Sequence, residues 1–67
     1  MTSYHIYLIG QAQPLSVYLP FADIDELVEK ASRAKFLAGT MAEADEDGVC
    51  RRVMIATNRI QCALEMD

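Results

Sequence analysis

The sequence predicts an α+β fold: one helix packed on an antiparallel sheet of four or five strands, in the order β-β-α-β-β-β or β-β-α-β-β. Three observations lead there. Segments rich in β-branched and aromatic residues, with apolar residues at alternate positions, stand at both ends of the chain. A single stretch with helical spacing lies between them, behind an acidic cap. Gly-, Pro- and Asp-Gly-containing turns separate the pieces. With 67 residues, the chain is read as one domain spanning 1–67.

Tyr4-His5-Ile6-Tyr7-Leu8-Ile9 reads as the first strand. Gly10 to Pro14 forms the turn. Leu15-Ser16-Val17-Tyr18-Leu19 is the second strand, with Leu15, Val17 and Leu19 on one face and Ser16 and Tyr18 on the other. Pro20 ends it. The first strand is apolar on both faces, which predicts that both are covered.

Asp23 is placed to cap a helix, and Glu26 stands three residues on, as in a capping box. Ile24, Leu27, Val28, Ala31 and Ala34 recur at helical spacing, and Leu37 and Ala38 extend the stripe. Glu26 with Lys30, and Glu29 with Arg33, stand four apart with the acid first. With Gly39 as the stop, the spacing predicts a helix over 23–38. Residues 40–44 form a short strand or stay irregular, and Asp45-Glu46-Asp47-Gly48 turns the chain.

The remaining strands are expected over 49–57 and 60–66, joined by a two-residue turn at Asn58-Arg59. That hairpin pairs Thr57 with Ile60, Ile55 with Cys62 and Val53 with Leu64. It sets Arg52 against Glu65 on the other face as a cross-strand ion pair. Met54, Ala56, Ala63 and Cys50 then form a second face too apolar to lie open to water.

The net charge of −4 and pI near 4.7 argue against a dedicated nucleic-acid binder. An apolar fraction of 52% excludes a disordered chain. No segment reaches the ~20 apolar residues that span a bilayer. Residues 1–20 hold no Lys or Arg and so lack the basic start of a secretion signal. We therefore expect a cytoplasmic protein, no membrane association, and reduced thiols.

Few residues suggest chemistry. His5, the only histidine, has no nucleophile or carboxylate motif beside it and reads as structural. Cys50 and Cys62 are not opposite in the predicted register and read as small, buried or half-buried hydrophobes. Two cysteines and one histidine fall short of a zinc site. Glu43, Asp45, Asp47 and Gly48 fit positions 1, 3, 5 and 6 of a calcium loop, but Met54 stands where the bidentate Glu is required. Glu43, Asp45, Glu46 and Asp47 are therefore read as a solvated tip and a candidate docking patch. No phosphate loop or catalytic pairing is evident. We expect no enzyme activity, no cofactor, no metal and no catalytic residue.

The closing stretch Arg52 to Glu65 resembles the final hairpin of many small SH3-like and Sm-like β-barrels. It differs from them in the helix between the second and third strands. No function is carried over from that resemblance.

A chain this short has a marginal core, and a partner subunit is the natural supplement when disulfides and metals are missing. The function expected is that of a small homo-oligomer, a homodimer, acting as a regulatory or adaptor module on an unidentified protein partner. Tyr4, Ile6, Tyr7, Leu8, Ile9, Tyr18, Met54 and Ala63 are the candidate interface residues. The alternative is a barrel-like RNA- or ligand-binding module using Tyr7, Tyr18 and Arg51, with aromatic side chains stacking bases.

Overall fold

The computed structural model describes residues 1–67. The elements run β1 (Thr2–Leu8), β2 (Leu15–Leu19), α1 (Ile24–Ala31), β3 (Phe36–Met41), β4 (Arg52–Ala56), a 3-10 turn (Thr57–Arg59) and β5 (Ile60–Glu65). The five strands form one antiparallel sheet in the order β4-β3-β2-β1-β5. One helix on an antiparallel sheet is the fold class the sequence predicts. No helix is long and apolar enough to cross a membrane.

The hairpin of β1 and β2 forms as read, with Tyr4 opposite Val17 and Ile6 opposite Leu15. Alternation turns Tyr4, Ile6, Val17 and Leu19 inward, where all four are fully buried. The Tyr4 hydroxyl donates to the Phe21 carbonyl at 3.1 Å, which satisfies the one polar atom this ring carries inward. Leu27 from α1, Leu37 from β3 and Ile55 from β4 complete the core.

The cap of α1 is the predicted one. Asp23 accepts from the Glu26 amide at 3.0 Å, and Glu26 accepts from the Ala22 amide at 2.8 Å. Glu26 thus turns back to the cap instead of toward Lys30, while Glu29 and Arg33 form the predicted pair at 2.7 Å. The helix is shorter than 23–38. It stops at Ala31, where the Ser32 hydroxyl donates to the Glu29 carbonyl at 2.7 Å. Leu37 and Ala38 continue a helical stripe, but Leu37, Gly39 and Met41 also alternate as a strand. Strand pairing prevails because β3 bonds on both sides, to β2 and to β4. Gly39 is consequently not a helix stop. It sits within β3, where a Cβ would lie 2.5 Å from the Tyr18 carbonyl oxygen, so only glycine permits this close approach of β3 to β2.

The segment 40–44 contributes only Thr40 and Met41 to a strand, as the end of β3. The acidic turn forms, with Gly48 at φ +77°. Asp45 accepts from the amides of Asp47 (2.9 Å) and Val49 (3.1 Å). That loop occupies Val49 to Arg51, so β4 begins at Arg52 and not at Val49.

The predicted hairpin of the last two strands does not form. β4 and β5 are the two outermost strands of the sheet. Across a flat sheet four strand spacings would separate them by about 19 Å. A 3-10 link from Ala56 to Ile60 covers only about 8 Å. The sheet must therefore curl until its edges approach, with the core inside the curl and α1 alongside β5. The link is anchored at both ends: the Thr57 amide donates to the Lys35 carbonyl at 2.9 Å, and the Arg59 carbonyl accepts from the Ile9 amide at 2.8 Å. The stretch that resembles a barrel's closing hairpin thus closes a curled sheet without being a hairpin.

Candidate interaction surface

With β5 paired to β1 instead of β4, its faces are reassigned. Tyr7 lies opposite Cys62, while Leu8 lies opposite Ile60, so Gln61 is an extra residue in the ladder. Such a bulge reverses the alternation beyond it. Ile60 and Ala63 therefore both pack against the core, and Cys62 and Leu64 face outward. The expected pairs Ile55–Cys62 and Val53–Leu64 are absent for this reason, and Ala63 does not belong to the outer face. The pair Arg52–Glu65 is also absent. Glu65 instead accepts from the Ile24 amide at 2.6 Å, where a carboxylate meets the positive end of α1.

The eight candidate interface residues divide evenly. Tyr4 and Ile6 are fully buried, and Leu8 and Ala63 pack against the core, so these four are not available to a partner. Tyr7, Ile9, Tyr18 and Met54 are not part of the core cluster, and Ile9, Tyr18 and Met54 are exposed. Val28, expected on the packed stripe of α1, is 61% exposed, and two exposed strand residues, Phe36 and Leu64, lie outside the expected set. Phe36 stands in what spacing makes helix, and Leu64 in what the hairpin register makes core. Strand alternation in 36–41 is the available signal for Phe36. No local signal marks the bulge that exposes Leu64.

The outer face has two apolar parts. On one side, Phe36 and Ala38 of β3 lie beside Met54 and Ala56 of β4. Met54 is 68% exposed and Phe36 53%. On the other, Tyr7 lies opposite Cys62 and His5 opposite Leu64. A separate cleft of about 310 Å³ runs between α1 and β5, lined chiefly by Ile24, Leu27, Val28, Ile60 and Ala63.

The acidic loop is partly self-neutralised. The Arg51 guanidinium binds the Asp45 carboxylate and reaches Asp47 at 3.5 Å. Those bonds from Arg51 first, then the Val49 amide, hold the Asp45 carboxyl below its ordinary range. Glu43 and Glu46 make no ion pair, so they carry the free charge of the proposed docking patch. The Tyr4 hydroxyl is held above its ordinary value, chiefly by burial and then by the nearby Glu65 and Asp23 carboxylates.

Cys50 and Cys62 are free and both exposed, not half-buried. Cys62 faces outward because of the β5 bulge, and Cys50 sits in the loop before β4. His5 lies opposite Ser16 and Leu64, with no carboxylate facing it in either register. No group of three or more His, Cys, Asp or Glu side chains is placed to hold a metal ion. Tyr18 lies opposite Ser3, four residues along β1 from Tyr7, which separates the two rings by about 13 Å along the strand. Arg51, the third residue of the RNA-binding alternative, is committed to Asp45 and Asp47.

In comparisons with known proteins, no family model, no curated protein and no solved structure matches the chain.

Proposed function

We propose that the protein is a small homo-oligomeric module, a homodimer, that acts in a regulatory or adaptor role by binding other protein chains. The observation that carries this reading is the mismatch between apolar content and core. The chain is 52% hydrophobic, yet only seven of its 67 residues are buried. Large apolar side chains on the outer sheet face remain in water, where such patches mark association surfaces. Burying them against a partner supplies what a core this small lacks.

Sedimentation at micromolar concentration tests the reading. A species of twice the chain mass is expected, and a monomer throughout that range overturns it. An RNA-binding role is less well supported. The net charge repels phosphate, the two tyrosines do not form one stacking platform, and Arg51 is already paired.

A further inference from the structure

We infer that the second copy docks on the free edge of β4, with a two-fold axis through Met54 that joins the two sheets into one antiparallel sheet. This rests on the homodimer reading above and specifies its surface.

The hydrogen-bonding parity of β4 points to this edge. The Met41 amide donates to the Arg51 carbonyl at 2.7 Å, and the Thr57 amide donates to the Lys35 carbonyl at 2.9 Å. Bonded and non-bonded pairs alternate along an antiparallel ladder. Between those two bonds, Val53 and Ile55 therefore bond to Gly39 and Leu37, their register partners. Arg52, Met54 and Ala56 turn their amide and carbonyl groups to the open side. A two-fold axis through Met54 pairs Met54 with itself and Arg52 with the partner's Ala56, so all three edge residues are used. An axis displaced to Val53 or Ile55 leaves one of them unpaired.

The side chains suit the same axis. It brings the two Met54 side chains together, flanked by Phe36, Ala38 and Ala56 from each copy. It also holds the two Arg52 side chains about 13 Å apart along the strand. The surplus acids of the chain lie on α1, in the 43–47 loop and at 65–67, and β4 itself has none. Two copies of a chain with net charge −4 therefore meet here without bringing carboxylates together.

The other edge is occupied. β5 leaves Ala63 and Glu65 unbonded to β1, since the Met66 amide donates to the Ser3 carbonyl and sets the alternate parity on that side of the bulge. But α1 stands beside that edge, tied to it by the Glu65 bond to the Ile24 amide. A helix along an edge protects it from strand addition. A bare edge such as β4 is the one that pairs.

The test introduces Met54→Cys into a chain carrying Cys50→Ser and Cys62→Ser. Bonded antiparallel partners sit about 5.5 Å apart at Cα, within the ~4.4–6.8 Å that a disulfide spans. Mild oxidation is expected to link most chains into dimers on a non-reducing gel, while Leu64→Cys in the same background stays unlinked. In the native-cysteine chain, Met54→Lys is expected to weaken dimerisation at least tenfold in sedimentation and to leave the circular dichroism unchanged. A dimer that Met54→Cys does not cross-link, or that Met54→Lys does not weaken, overturns the β4 edge and leaves the dimer reading standing. A monomeric native chain overturns both.

Discussion

Residues 9–14 and residues 57–59 are both short links between apolar strands, yet the first joins neighbours in the sheet and the second joins its two outermost strands. The difference lies in the strand that each link leads into. After Pro14, the chain can return alongside β1 because Leu15, Val17 and Leu19 alternate in phase with Ile6 and Tyr4. After Arg59, pairing Ile60–Glu65 with β4 competes with pairing it with β1. The second arrangement places Ile60 and Ala63 in the core, delivers Glu65 to the start of α1, and lets Arg59 accept from Ile9. A short link limits how far apart two strand ends can be, not whether the strands bond. In a curled sheet the two edges are near enough to share one turn.

The contrast can be broken at three strengths. The largest effect is expected inside the first hairpin. Ile6→Ala removes a fully buried side chain and should cost about 2–5 kcal/mol. Denaturant unfolding at one fixed chain concentration reads this, since the proposed dimerisation would make the midpoint concentration-dependent. A loss under about 1 kcal/mol would mean that the hairpin is not the anchor of the core.

A smaller effect is expected at the second link. The Thr57 hydroxyl bonds the Ala34 carbonyl at 2.7 Å and the Lys35 carbonyl at 3.1 Å, tying the turn to the start of β3. Thr57→Val keeps the shape and removes those bonds, with an expected loss of about 1 kcal/mol by the same unfolding measurement. A neutral substitution would show that these two bonds do not hold the turn to the start of β3.

The smallest effect concerns the acidic loop before β4. Asp45 is held below the ordinary carboxylate range chiefly by Arg51. Its contribution to loop order is therefore present at neutral and mildly acidic pH, and it is lost as pH falls through the depressed value. Carboxyl chemical shifts recorded on acidification should show Asp45 titrating below the ordinary carboxylate range, and Arg51→Ala should move its midpoint upward. An unmoved midpoint in that variant would show that Arg51 does not set it.

Much of the fold is legible in the sequence because local chemistry agrees with the tertiary result. The first hairpin, the Asp23 and Glu26 cap, the Glu29–Arg33 pair and the Asp47-Gly48 turn all depend on residues near one another in the chain. The candidate surface is legible only in part. Met54, Tyr18, Tyr7 and Ile9 lie outside the core as read, but Tyr4 and Ile6 do not belong to an interface, because a strand apolar on both faces does not say which face is inside. Phe36 escapes notice because Leu37 and Ala38 fit a helix and a strand equally well.

The element types at both ends, the start of the helix, the acidic turn and the confinement of charge to residues 23–67 follow from neighbouring residues in the chain. Which strands are neighbours, where α1 ends and which side of β5 faces water emerge only in the folded sheet. Capping, turn chemistry and alternation act over a few residues and are written in them. Strand order and the Gln61 bulge arise from how the whole curled sheet fills its interior, a balance among residues from Tyr4 to Glu65 to which no single segment holds the answer.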